Sequence, residues 1–144
     1  MNDSVAIRPA CTADADALAA LLDELGYPAN AAQVGLRLAR FTDDAQAIAL
    51  VACRSDSLCG LATAHAHYAL NRDEPSVQLS LLVIAATARS SGVGRALVAA
   101  AEAWAEQHGA RRLVVTTASH RDVAHAFYER LGYLLTGRRY ARTW

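Results

Sequence analysis

The chain contains no lysine; all 14 of its basic side chains are arginines. A P-loop needs a lysine directly after its last glycine, so that class of phosphate site is excluded at once. Cysteine is scarce as well. Cys11, Cys53 and Cys59 are odd in number and lack C-x-x-C spacing, which argues against a disulfide framework and against a zinc site, so no metal is expected. Neither sign of charge is in excess, with 14 basic against 14 acidic side chains. Without a basic surplus to displace counterions, no nucleic-acid partner held by electrostatics is expected, although a local arginine patch is compatible with zero net charge. No apolar run reaches membrane-spanning length, and the opening Met1-Asn2-Asp3-Ser4 is not the start of a signal peptide. No membrane partner and a cytoplasmic location are the expectations. There is no internal repeat and no low-complexity linker.

What is present reads as a single domain over residues 1–144, 53% hydrophobic and 19% charged, large enough to bury a real core. Residues 5–8 form a short first strand closed by Pro9. Thr12 is placed to cap a helix carrying Asp14 and Asp16 in its first turn and Leu18, Leu21, Leu22 and Leu25 on its buried stripe. Asn30 and Gln33 make a capping box for a second helix with Val34, Leu38 and Phe41 on one face. Residues 47–53 and 58–70 read as a hairpin around the turn 54–57, with Leu61, Thr63, His65 and His67 on one face and Ala62, Ala64, Ala66 and Tyr68 on the other. Residues 71–75 are a polar loop. A strand over 112–117, a capping pattern from Ser119 to Asp122, a helix with Ala124, Phe127, Tyr128 and Leu131 as its stripe, and one or two short strands over 133–144 complete the expected order. Hairpin and βα units together imply an α/β (α+β) fold with a mixed sheet and helices on both faces.

The chain is organised around residues 77–107. An apolar, β-rich run over 77–84 leads into Arg89-Ser90-Ser91-Gly92-Val93-Gly94-Arg95, and Leu97, Ala101 and Trp104 then follow at helical spacing up to Gly109. Strand, glycine turn and helix N-terminus are the parts of an anion cradle, because unpaired N–H groups and the positive end of the helix dipole face the turn. A dinucleotide fingerprint needs a third glycine three residues after the second, and Leu97 stands there. The plainer alternative is an ordinary connection with glycines for tight packing.

The pattern Arg89-x-x-Gly92-x-Gly94 resembles the acetyl-CoA-binding segment of the GNAT superfamily of N-acetyltransferases. A second segment, Ala124-His125-Ala126-Phe127-Tyr128-Glu129-Arg130-Leu131-Gly132-Tyr133, is similar to one near the end of many members. The element order matches that fold over essentially the whole chain. The resemblance implies transfer of an acetyl group from acetyl-CoA to an amine of a small molecule or peptide, by direct attack in a ternary complex and without a metal. It implies that the amides of Ser90, Ser91, Gly92, Val93, Gly94, Arg95 and Ala96, with Arg89, hold the coenzyme A pyrophosphate. It further implies that the backbone of Leu82, Val83 and Ile84, on a strand splayed by a bulge in the family, pairs with the pantetheine arm, and that Tyr128 is the acid for the leaving thiolate. An N–H near Leu82 or Val83 is the candidate oxyanion donor, and His120 either contacts cofactor or caps the last helix. A homodimer is also expected from the family.

The base is less legible. Where many relatives carry a glutamate before the cradle, this chain has Val77, Gln78 and Ser80. His65 and His67, on one strand face near the expected acceptor site, are the candidate bases because imidazole is the side chain suited to accepting a proton at neutral pH; the plainer reading is a solvated strand face. Asp73 and Glu74 are candidates for holding a cationic amine. The missing glutamate leaves open a non-catalytic acyl-CoA-binding or regulatory module, and a vestigial turn on a structural domain is the third reading.

Overall fold

In the computed structural model, which describes residues 4–116 and 122–144, the sheet grows outward from the hairpin. β2 (Ala47–Arg54) and β3 (Ser57–His67) are antiparallel. Ser55 and Asp56 between them have φ of 52° and 62°, the paired positive values of a two-residue turn whose twist matches that of its strands. β1 (Ala6–Pro9) pairs antiparallel with the free side of β2, and β4 (Ser76–Ile84) with that of β3. β5 (Leu113–Val115) lies next to β4, so the sheet order is β1-β2-β3-β4-β5.

Successive strand residues point to opposite faces. Residues 59–64 of β3 are all buried, so both faces of its centre are covered. One face is made of very small residues. A Cβ on Gly60 would lie 2.9 Å from Leu97 Cδ1 and 3.1 Å from Val93 Cγ1, both on α3 (Val93–Gln107). Ala64 and Ala66 continue that face into a cluster with Val77, Trp104, Ala105 and Ala110. The alanine-rich strand is thus what lets a helix bearing Trp104 settle closely on the sheet. α1 (Ala15–Glu24) packs against β3, α2 (Ala31–Thr42) against β2, and the two helices against each other. At the far end of α3 the His108 ring stacks on Trp104 with centroids 4.0 Å apart and reaches Ala45 O at 3.0 Å.

Local signals explain the helix ends. Gln33 N donates to Asn30 Oδ1 (2.8 Å) and Asn30 N to Gln33 Oε1 (3.0 Å), the reciprocal pair expected of this capping box. Thr12 does not cap α1; it opens a short 3₁₀ turn, Thr12–Asp14. Asp14 has a different task from serving the dipole. Its carboxylate accepts two bonds from the Arg8 guanidinium, both 2.8 Å, and one from Cys11 N, 2.8 Å. It is therefore held down at a pKa of about 2, chiefly by the Arg8 bond, against the opposing effect of its own burial.

Three strand expectations need correction. β3 stops at His67 instead of continuing to Leu70, because β2 begins opposite His65 and β4 opposite His67. Residues 68–70 then have no strand on either side, and Tyr68 and Leu70 are exposed. β5 is shorter than residues 112–117. No strand forms over 133–144 among the described residues. Leu134, Leu135, Tyr140 and Trp144 stand exposed there, and β propensity makes no strand without an edge to pair with.

The first compact unit ends at Val114; the second is Val115–Trp144. The second holds α4 (Asp122–Arg130). Its expected stripe of Ala124, Phe127, Tyr128 and Leu131 is half-buried. Ser119, His120 and Arg121 lie outside the described residues, so the cap proposed there and the role of His120 stay expectations.

Candidate active site

β4 carries a bulge. Thr63 faces Leu81 while Ala64 faces Leu79, which leaves Ser80 as the extra residue. Its hydroxyl donates to Thr63 O at 3.2 Å and lies 2.8 Å from the Thr63 hydroxyl, so the bulge is fastened to β3 by side chains. A bulge bends its strand and ends regular pairing locally. Beyond it, Leu82, Val83 and Ile84 still pair with Ala62, Leu61 and Gly60 on one side. On the other side β5 is only three residues long, and Val77 N donates to Arg112 O just before it. Whichever way β5 runs from that bond, it does not reach Leu82. Among the described residues this stretch of β4 therefore keeps an open edge, and alternate N–H and C=O groups there can pair with an extended ligand carrying amides of its own.

The strand delivers the chain into the turn. A 3₁₀ turn, Ala86–Ala88, follows; Ser90 has φ of 61° and Gly92 φ of 89°. Gly92 is the N-cap of α3, which has no side-chain cap. The first bond of the helix runs from Ala96 N to Gly92 O, 3.0 Å. The N–H groups of Val93, Gly94 and Arg95 therefore have no acceptor within the helix. Nothing lies within 4 Å of where a Gly92 Cβ would be. Arg89 and Arg95 are exposed, and neither has a carboxylate partner among the described residues. Val93 and Leu97, fully buried, anchor the helix below. Open space, amides without a helical acceptor, a helix dipole and two exposed guanidinium groups fit an anion such as a pyrophosphate.

Three long-range contacts fix this turn, and the sequence pointed to none of them. Ala85 N donates to Cys59 O, 2.8 Å. Ala86 N donates to Glu24 Oε1 at the end of α1, 3.2 Å. Arg54, beside the hairpin turn, donates to Ser91 Oγ at 3.2 Å and to Ser91 O at 3.4 Å. The sheet register, which sets Ile84 opposite Gly60, brings Cys59 and Arg54 near the turn, and the packing of α1 against β3 brings Glu24. Cys59 is a buried thiol, pushed up in pKa by that burial, and Cys53 is free as well.

The structure does not gather every expected residue at one point. His65 and His67 are exposed on β3 with ring centroids 6.0 Å apart. They pair in register with Gln78 and Ser76, on the far side of the bulge from the cradle. His65 is three residues along β3 from Ala62, the partner of Leu82, or about 10 Å of strand. His67 is about 17 Å away on the same measure. Asp73 and Glu74 are exposed in the loop at that end. In the second unit Tyr128 is half-buried, edge-on to Phe127 at 5.0 Å and to Tyr133 at 5.7 Å. Tyr133 N donates to Tyr128 O, 3.0 Å.

Known proteins agree with this architecture. The chain superposes on a transcriptional regulator from Bacillus halodurans C-125 with a TM-score of 0.89 at 21% identity, covering 98% of this chain and 100% of that one. A GNAT family acetyltransferase from Staphylococcus aureus subsp. aureus USA300_TCH1516 gives 0.83 at 19% identity, over 98% and 99%. The aminoglycoside N-acetyltransferase AAC(6')-Iy, solved in complex with CoA, gives 0.87 at 18% identity, over 99% and 96%. At these identities the likeness concerns the fold. Among curated protein sequences none matches this chain significantly. The sequence model of the acetyltransferase (GNAT) family matches residues 15–133, which takes in the bulged strand, the turn, α3 and α4. The chain therefore belongs to the GNAT family of acetyltransferases.

Proposed function

We propose that residues 1–144 form one N-acetyltransferase domain that moves an acetyl group from acetyl-CoA to an amine of a small molecule or peptide in a ternary complex. The observation that carries this reading is the start of α3 at Gly92, without a side-chain cap, set at the end of a bulged strand whose edge at Leu82–Ile84 is open among the described residues. In this reading the amides from Ser90 to Ala96, with Arg89 and Arg95, take the pyrophosphate, and the edge of Leu82–Ile84 takes the pantetheine amides.

The acetyl thioester supplies an activated carbonyl. An alkyl ammonium of pKa about 10.4 is neutral only about once in 2,500 molecules at pH 7, so a group that accepts its proton speeds attack. His65 is the better placed of the two histidines, being nearer Leu82 along the strand, and it acts through water across about 10 Å. The N–H of Leu82 or Val83 donates to the carbonyl oxygen as negative charge grows on it. The amine nitrogen forms the new C–N bond, the C–S bond breaks, and the Tyr128 hydroxyl gives its proton to the departing thiolate. Asp73 and Glu74, at the same end of the strands as the histidines, attract a cationic acceptor.

The test is release of free thiol from acetyl-CoA across a panel of amines, with Tyr128→Phe as the variant. The reading expects thiol release that depends on the amine and falls by roughly 100-fold in the variant while CoA affinity stays unchanged. No release with any amine would sink it. One observation favours a second reading, a non-catalytic acyl-CoA sensor: β4 carries no carboxylate at Val77, Gln78 or Ser80. A structural neighbour that is itself a transcriptional regulator is compatible with that reading. A sensor binds acetyl-CoA and has no turnover for Tyr128→Phe to remove.

A further inference from the structure

We infer that Arg54 is a positioning residue for the cofactor turn, holding it in its binding shape before any ligand arrives. The inference rests on the functional reading above and adds to it a residue that lies outside the turn and outside both sequence motifs.

Ser90 adopts φ of 61°, a left-handed conformation that a residue with a Cβ keeps only when its surroundings hold it there. The next residue is where the holding occurs. The Ser91 hydroxyl donates back to Ala88 O within the turn. From outside it, Arg54 Nη1 reaches Ser91 Oγ at 3.2 Å and Nη2 reaches Ser91 O at 3.4 Å. One planar guanidinium thus grips a side chain and a main-chain carbonyl together, a geometry that lysine cannot reproduce.

The carbonyl contact has a directional consequence. In a trans peptide the C=O and N–H of one unit point in opposite directions. Drawing Ser91 O toward Arg54 therefore turns the Gly92 N–H away from the hairpin. That peptide immediately precedes the amides of Val93, Gly94 and Arg95, which have no acceptor within the helix, so its orientation decides whether the Gly92 N–H joins these donors on one anion. Arg54 can do this because it adjoins the tight turn at Ser55 and Asp56, on a strand that is fully buried two and three residues further in, at Ala52 and Val51. The grip is supplied by a hairpin anchored in the core. Its positive charge also adds to those of Arg89 and Arg95.

The experiment compares wild type with Arg54→Met, which keeps the stem and loses the donors, and Arg54→Lys, which keeps the charge and loses the fork. Calorimetry measures affinity for CoA and for pantetheine, which lacks the pyrophosphate. Backbone ¹⁵N relaxation of Ser90, Ser91 and Gly92 is recorded on ligand-free protein. The expected result for Arg54→Met is an affinity for CoA about tenfold weaker and pantetheine affinity unchanged. Turn order parameters should fall from about 0.85 to below about 0.6. Arg54→Lys should recover only part of the CoA affinity. Wild-type order parameters in the Met variant, or full rescue by lysine, would overturn the inference. A general loss of fold would weaken pantetheine and CoA alike and also counts against it. If wild type binds no CoA, the functional reading fails, and the relaxation data alone judge the grip.

Discussion

Replacing Gly60 by alanine adds one methyl group at the closest approach of α3 to the sheet. The new Cβ would lie 2.9 Å from Leu97 Cδ1, 3.1 Å from Val93 Cγ1 and 3.3 Å from Ile84 Cδ1. Carbon atoms in contact prefer about 3.5–4.0 Å, so the first neighbour must retreat by roughly 0.6–1 Å. A Leu tip can often swing aside, but Leu97 and Val93 are both 0% exposed, and Val93 is stiff about its β-branched χ1. Overpacking of this kind costs about 1–3 kcal/mol. The alanine also restricts the unfolded chain, which offsets about 0.4–1 kcal/mol. At the middle of these ranges the net loss is about 1.3 kcal/mol, and the melting temperature falls by roughly 3–6 °C. Gly35, inside α2 with nothing within 4 Å of where its Cβ would stand, is the internal control. There alanine should stabilise by about 0.5–1 kcal/mol. Calorimetric melts of the two variants against wild type decide the matter. A Gly60→Ala protein as stable as wild type would refute the claim that the small-residue face of β3 sets how closely α3 packs.

Asp14→Asn should lower stability at pH 7 by about 1–2 kcal/mol, discounted for the half-exposed Arg8 partner. The folded pKa of Asp14, about 2, lies below its ordinary value of 3.8. Its contribution is therefore present above about pH 4 and fades as pH falls toward about 2, so the acid limb of a stability-versus-pH curve should be flatter in the variant between those values. Asn30→Ala removes the Asn30 Oδ1 acceptor of Gln33 N and leaves the reciprocal bond from Asn30 N to Gln33 Oε1; it should cost about 1 kcal/mol in urea denaturation.

The strand, turn and helix of the candidate cradle were legible because their signal is local. Glycines at 92 and 94 after an apolar strand, with an apolar helical stripe following, define strand, turn and helix within one stretch of sequence, and α3 ends at Gln107, before Gly109, as that stripe implies. The same holds for the Asn30–Gln33 box. What the sequence hid is long-range. The bulge at Ser80 changes no letter pattern, since it is a mismatch between two strands. Arg54 lies 37 residues from Ser91, and only the register of three strands places them together. Leu18, Leu21 and Leu22 of the expected stripe are buried on α1, while Leu25 falls just past its end and is half-buried; Thr12 looked like a cap because its neighbours suited one, but it lies inside a 3₁₀ turn that Cys11 begins. The strands expected over 133–144 failed for a related reason: pairing partners are absent from the local sequence that propensity reads.

Thermal unfolding with acetyl-CoA, set against CoA, NAD and ATP, tests the central claim most directly. A ligand at 100 times its dissociation constant stabilises the folded state by about 2.7 kcal/mol, which raises the melting temperature by several degrees. That rise is expected with acetyl-CoA and CoA, and none of comparable size with NAD or ATP. No shift with saturating acetyl-CoA, or equal shifts with all four, would contradict the assignment of the turn at Arg89 to Arg95 as a coenzyme A site.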